Sequence, residues 1–308
     1  MLAFSARRIA VLVPILIIAS LLVFLAVTAL PGDPVRAIGG RRALSAATRD
    51  AITQRYRLDE PVVSRWAGWL GDVARGDLGE SFDSRRPVRD VLVEKLPATL
   101  QLAALTIAIE AGLGIAAGIL ASLRRGRFID SLVLVTTTVA LAIPVFVLAS
   151  LTRDLLGLRW HLFPATARDG GIGAYILPAF VLAAPSLALV ARLTRASLDA
   201  ELDAPYLSTL AAQGISRRRR FFGHALRNSW APVIAFLAAD LGALLAGTVV
   251  VESVFDIDGV GRALEQAIVA RDQPVIIGFT LLAVIVYLVA NLIADIAVAA
   301  LDPRVRDA

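Results

Sequence analysis

Six long apolar stretches alternate with polar segments along this chain, at residues 9–30, 100–123, 131–151, 174–191, 230–251 and 275–301. A bilayer core of about 30 Å is crossed by about twenty apolar residues in a helix, so each stretch is long enough to span. The pattern predicts an all-α polytopic membrane protein with six transmembrane helices. No internal repeat and no Pro/Gly/Ser linker divides it, so residues 1–308 are expected to form a single transmembrane domain.

Two polar segments are too ordered to be tethers. Residues 31–97 form a long loop in which 45–56 and 62–73 read as short helices, the second with Trp66, Trp69 and Leu70 on one face. Those tryptophans are expected at the bilayer interface or under the loop's own small core, and the loop offers a surface for an extracytoplasmic partner. Residues 192–229 form a polar loop whose stretch from Pro205 to Asn228 is an arginine-loaded island. Within the loop Asp203 and Pro205 supply a helix start, and Tyr206, Leu207, Leu210 and Ala211 recur on one face before Gly214 stops the helix. A second helical pattern runs from Ser216 toward Trp230 through Arg217, Arg218, Arg219 and Arg220. A short amphipathic helix ended by glycine and followed by a basic one reads as a docking element.

Charge orients the spans. The N-terminus, the 123–130 loop, the 192–229 loop and the C-terminal tail hold fourteen Lys and Arg, against five in the short loops 152–173 and 252–274. The side keeping more of them is cytoplasmic, so both termini and the 192–229 loop are expected there. The long loop carries twelve basic and ten acidic residues, but loops of that length translocate largely regardless of charge.

Composition narrows the class. With 57% hydrophobic residues, mean hydropathy +0.73 and no cysteine, neither a soluble domain nor a disulfide-stapled one fits. The net charge of +5 would suit nucleic acid, yet the arginines follow topology and do not gather on one soluble face; anionic lipid is the expected partner of the basic run. Arg7 and Arg8 precede the first stretch as in a signal peptide, but its apolar run exceeds a cleavable core and predicts a retained anchor.

Candidate chemistry is sparse. No Gly-x-x-x-x-Gly-Lys-Ser/Thr occurs and the one lysine, Lys95, has no glycine cradle, so ATP and Mg would have to be bound by another chain. With two histidines, His161 and His224, and no His-Glu-x-x-His, no metal site and no catalytic residues are expected. A carboxylate in hydrocarbon is costly, so Glu110, Asp240, Glu252 and Asp295 are candidates for a pathway or gate. Glu252 and Asp295 are expected near helix ends at the interface; Glu110 and Asp240, nearer mid-span, fit a cavity lining, a helix pairing or protonated packing. Pro144, Pro178 and Pro185 are expected to bend their helices, and a bend at Pro144 would allow gating.

Motifs in order along the chain resemble the permease subunits of type I ATP-binding cassette importers, dipeptide and oligopeptide branch. They are Leu30-Pro31-Gly32-Asp33-Pro34, Gly76-Asp77-Leu78-Gly79-Glu80-Ser81, Leu96-Pro97-Ala98-Thr99-Leu100 and Ile143-Pro144-Val145-Phe146. Val251-Glu252-Ser253-Val254-Phe255 with Gly259 and Gly261, Arg271-Asp272-Gln273-Pro274, and Asn291, Asp295 and Leu301-Asp302-Pro303-Arg304 continue the series. His224 to Asn228, ten residues after Gly214, matches the same branch. The Glu-Ala-Ala triplet of the docking loop would fall on Ser208-Thr209-Leu210, so its glutamate is missing; Gln273 and Val298 stand where the family tends to have tyrosine.

The resemblance implies the type I importer permease fold in a bacterial or archaeal cell membrane. It also implies a second, paralogous permease, two ATPase subunits and an extracytoplasmic substrate-binding protein. Tyr206, Leu207, Leu210, Ala211, Gly214, His224 and Arg227 would couple to the ATPase, and the cargo would be a dipeptide or oligopeptide. The alternative is a proton-coupled secondary transporter with Glu110, Asp240 and Asp295 as a relay; the absent inverted repeat disfavours it.

Overall fold

A computed structural model describes residues 2–29, 46–55, 57–167 and 171–301. The helices, in chain order, are α1 Leu2–Thr28, α2 Ala46–Arg55, α3 Val62–Ala74, α4 Val88–Leu123, α5 Phe128–Ala142, α6 Val145–Thr152, α7 Ile176–Leu202 and α8 Pro205–Ala212. They continue with α9 Arg217–Arg220, α10 Leu226–Asn228, α11 Trp230–Val254, α12 Val260–Ala270 and α13 Gln273–Leu301. The motifs at residues 30–34 and 302–304 lie outside the described residues.

Among the described residues five helices are long and apolar enough to cross a membrane, and the pair α5 and α6 makes a sixth, broken span. The break is chemical. Proline's ring drives the preceding residue out of the helical region, so Ile143 is extended at φ −93°, ψ 120° and the two pieces meet at 100°. The bend expected at Pro144 is therefore present, and the span read over 131–151 is a bent pair that begins at Phe128. Pro178 and Pro185 behave otherwise: α7 runs unbroken from Ile176 to Leu202, because Pro178 lies in the first turn, where the missing N–H has no intrahelical partner, and neighbouring helices support Pro185. The second span also begins earlier than expected, at Val88, where Pro87 starts a 36-residue helix of about 54 Å at 1.5 Å per residue.

α7 is the most enclosed span and the centre of the bundle. Its approach to α4 rests on Gly114 and Gly118, one turn apart. A β-carbon at Gly118 would lie 2.5 Å from the Ala191 carbonyl oxygen, and one at Gly114 would lie 2.8 Å from Val190. The central core joins Leu102 of α4, Leu177 and Leu182 of α7, and Leu244, Val251 and Phe255 at α11.

Each end of the bundle has a smaller core. At one end Phe24 of α1, Val88 of α4, Ala267 of α12 and Phe279 of α13 pack together under Trp66 and Trp69 of α3. Trp66 donates its ring N–H to Ser20 at 3.2 Å, so these tryptophans dock the loop onto α1. Asp272, between α12 and α13, accepts from the Ser81 hydroxyl at 2.5 Å and the Phe82 amide at 3.0 Å, and this fixes the 81–83 turn at the same end. At the other end Leu198, Leu207 and Ala225 form a core with Ile119 and Leu202 packed against it, and the arginine-rich segment sits there.

Candidate functional site

The chain leaves α7 at Asp203, and Pro205 occupies the first turn of α8, where its ring matches helical φ. Gly214 ends the helix at φ +78°. The Ile215 amide donates to the Leu210 carbonyl at 3.1 Å and the Gly214 amide to the Ala211 carbonyl at 3.0 Å, the paired bonds of a Schellman cap. No heavy atom lies within 4 Å of where a β-carbon at Gly214 would stand, so the turn faces open space. Ser216 then caps α9 by accepting from the Arg219 amide.

Leu207 is buried against Leu198 and Ala225, with Tyr206 and Leu210 half-buried beside it. Ala211, grouped with them by periodicity, is exposed: it lies one position past the inward stripe, and Ser208, Thr209, Ala212 and Gln213 share its outward side. α8 thus presents a polar and small-residue face away from the bundle.

Its inner face is bolted down by side chains far apart in sequence. The Tyr206 hydroxyl donates to Glu201 at 2.6 Å, and the Asn228 amide donates to Tyr206 at 3.2 Å and Glu201 at 3.4 Å. Burial first, and then the bond to Glu201, push the phenol above its usual range, so Tyr206 remains a donor. Arg220 donates to the Leu207 carbonyl at 3.3 Å. His224 is half-buried in a π-helical turn over Phe221–Ala225 and Arg227 is exposed after it; among the described residues neither bonds to α8.

A second set of polar bonds fastens α7 to α4 and α5 at this end. Ser122 donates to Asp199 at 2.6 Å, Arg125 meets Asp203 at 2.8 Å, and Arg195 makes a two-pronged bond to Asp130 at 2.6 and 2.9 Å. The side chain of Asp203 raises the Arg125 guanidinium above its usual range. Sequence reading counted Arg192 and Arg195 as loop residues. The helix continues past them, and their partners lie 54–65 positions away. The spacing of Arg192, Arg195, Asp199 and Asp203 at helical intervals of three and four is the signal that could have exposed them.

The membrane carboxylates separate into different environments. Glu252 lies near the end of α11, as expected, and is fully buried there: it accepts from the Thr99 hydroxyl at 2.7 Å and the Arg262 amide at 2.9 Å, with the Gly261 amide also directed at it. Thr99 in turn accepts from the Val260 amide at 2.8 Å. The first turn of α12 supplies donors that would otherwise lack partners, which is what draws the carboxylate inside. A β-carbon at Gly259 would stand 2.4 Å from the carboxylate, so glycine there leaves room for it.

Glu110 is fully buried on α4 with neither carboxyl oxygen hydrogen-bonded in the usual geometry, and Asp240 of α11 lies close enough to interact with it. The structure therefore brings these two together and keeps Glu252 apart. The side chain of Asp295 lies outside the described residues. Pro144 forms the bend between α5 and α6. Among the described residues no group of three His, Asp or Glu is placed to hold a metal ion.

Residues 114–307 match the family described as binding-protein-dependent transport system inner membrane component, and residues 1–103 match the N-terminal part of that membrane component. The chain is 36% identical over 306 residues to the glutathione transport system permease protein of Escherichia coli O6:H1, covering 99% of each. It is 31% identical over 336 residues to the dipeptide transport system permease protein of Escherichia coli K12, again covering 99% of each. An inward-facing structure of the MetNI methionine ABC transporter superposes with a TM-score of 0.55 at 17% identity, over 69% of this chain and 96% of that one.

Proposed function

Because this chain belongs to the family of binding-protein-dependent transport system inner membrane components, we propose that α8 is the surface through which a partner ATPase moves its membrane bundle. The chain is a permease subunit of an ATP-binding cassette importer of the peptide branch, a multi-pass inner membrane protein with the type I importer permease fold.

The observation that carries the proposal is the two-sided construction of α8. Its outer face and the Gly214 turn are open, while its inner face is held by Leu207 and by the Tyr206, Glu201 and Asn228 bonds to α7 and α10. A force applied outside is passed to α7, the central span, with little slack. Closure of two ATPase subunits on ATP and Mg would tilt α8 and α7 together, and a second, paralogous permease would complete the pathway that opens. The arginine distribution supports cytoplasmic termini and a cytoplasmic α8, with α3 and α12 toward a substrate-binding protein outside. In this reading the whole chain works as one membrane domain, and its cargo is a short peptide of the dipeptide or glutathione kind.

The absence of native cysteine makes the test direct. A single cysteine at exposed Gln213 should cross-link to a co-expressed ATPase subunit, and one at exposed Ser84 should not. Cross-linking from Ser84 alone would overturn the assignment.

A further inference from the structure

A cavity of about 860 Å³ opens beneath α8, between the ends of α4 and α7 and the basic segment. Its wall is divided by chemistry. Leu123, Leu202 and Phe222 give an apolar side, and Arg217, Arg218 and Arg220 give a cationic one. The one carboxylate that lines it, Asp203, is already engaged by Arg125 at 2.8 Å. The Arg220 Nε–H is buried and has no acceptor, although its Nη1 bonds the Leu207 carbonyl. Arg220 therefore lines, with Arg217 and Arg218, a cavity of excess positive charge while one of its own donors lacks an acceptor, and such a wall suits an anionic oxygen.

The place of the cavity limits what that anion can be. Leu123, the last residue of α4, stands directly before Arg124, Arg125 and Arg127, the charged edge expected where a span reaches the headgroups, so the cavity opens at that edge. Leu123 is 50% exposed and Phe222 60% exposed, apolar surface at the cavity rim that a small hydrophilic anion would leave uncovered. We propose that this cavity is a specific site for one anionic phospholipid of the adjoining leaflet, its phosphate on Arg218 and Arg220 and its upper acyl chain along Leu123 and Phe222. Seated there, the lipid bridges the ends of α4 and α7 to the basic segment and fixes the angle at which α8 leaves the bundle. Lipid binding stands independently of the ATPase reading, since it concerns the permease chain alone.

The site differs from diffuse attraction of a basic loop to a charged surface in being confined to particular arginines. The purified full chain is placed in nanodiscs of phosphatidylcholine with increasing phosphatidylglycerol, and lipid retained after transfer to detergent is counted by native mass spectrometry, with thermal unfolding followed in parallel. One phosphatidylglycerol is expected to remain on the wild-type chain and to raise its Tm. Removing two guanidiniums with Arg218→Gln/Arg220→Gln should weaken retention by roughly tenfold or more, since each basic residue near an anionic surface contributes measurably. Arg218→Lys/Arg220→Lys keeps the charge and should retain lipid in part, which separates loss of the site from loss of the fold. Arg124→Gln/Arg127→Gln removes exposed charge at the same end outside the cavity and should leave retention unchanged. Equal loss in both glutamine pairs would show diffuse attraction and overturn the proposal. Protection by inorganic phosphate equal to that by phosphatidylglycerol, or no retained lipid on the wild-type chain, would also overturn it.

Discussion

The phenol of Tyr206 on α8 donates to the carboxylate of Glu201 on the last turn of α7 at 2.6 Å, across the turn that separates the two helices. Asn228 reaches the same pair from α10, so three segments meet at one polar knot beside the Leu198 and Leu207 core. A helix of eight residues is too short to hold its own direction in water; this knot and that core supply it.

Replacing Tyr206 with phenylalanine keeps the ring and removes the knot's central hydroxyl. The loss should be about 1.5–3 kcal/mol of local stability, that of a bond to a charged acceptor. In the assembled transporter the expected result is near-normal ATPase activity with a lower ratio of peptide taken up to ATP hydrolysed. A Tyr206→Phe variant with an unchanged ratio would show that the knot does not carry motion.

The bracket around Glu252 makes a different claim, one of structure. Glu252→Ala would leave the Thr99 hydroxyl and the Arg262 amide without their acceptor in a buried place, at about 1–3 kcal/mol for each orphaned donor. Thermal unfolding of the purified chain should show a large drop in Tm for Glu252→Ala and a smaller one for Glu252→Gln, whose amide oxygen still accepts. Gly261→Ala should also be poorly tolerated, since its β-carbon would stand 2.7 Å from the Val249 backbone. Normal stability with lost transport in Glu252→Gln would instead favour a gating role.

Much of this architecture was legible in the sequence because it rests on local rules. Hydropathy marks the spans, the residue before a proline marks the break at Ile143, and the glycine after an amphipathic run marks the cap at Gly214. What the sequence hides is pairing at a distance. Ser81 and Asp272 stand 191 positions apart, and Thr99 and Glu252 stand 153 apart. Glu110 and Asp240 are conspicuous one at a time, as acids in apolar runs, but nothing local says that they face each other. Glu252 is equally conspicuous, yet what decides its burial is the free amide end of α12, which hydropathy does not report.

The Glu110 and Asp240 pair separates an ATP-driven importer from a proton-coupled one. Among the described residues Asp240 is the charged side chain that interacts with Glu110, and an ATP-driven importer asks of the pair only a helix contact. Glu110→Gln should transport at close to the wild-type rate, and Glu110→Leu/Asp240→Leu should still fold, since well-packed apolar replacements of buried polar pairs are often neutral. Uptake into cells should persist when an uncoupler abolishes the proton gradient and ATP is maintained. Loss of uptake under the uncoupler, together with an inactive Glu110→Gln, would restore the relay.

Orientation can be measured by labelling single cysteines on intact cells with an impermeant thiol reagent. Ser81 is buried against Asp272 and unsuitable, whereas Ser84 three residues on is exposed. Ser84→Cys should be labelled from outside and Gln213→Cys only after permeabilisation. The opposite pattern would invert the whole assignment of faces.

Gly214 tests the coupling claim most directly, because its backbone requirement and its open surroundings can be separated. Asparagine tolerates φ +78° better than other residues with a β-carbon, so Gly214→Asn should keep the cap; Gly214→Trp adds bulk to a surface where the chain itself offers nothing within 4 Å. Both variants are reconstituted with the second permease, the ATPase pair and the loaded binding protein, and ATP hydrolysis stimulated by that binding protein is measured, with chain stability checked by thermal unfolding. Gly214→Asn should retain most of the stimulation, and Gly214→Trp should lose it with a Tm close to that of Gly214→Asn. Full stimulation in a stably folded Gly214→Trp complex would contradict the coupling role of α8.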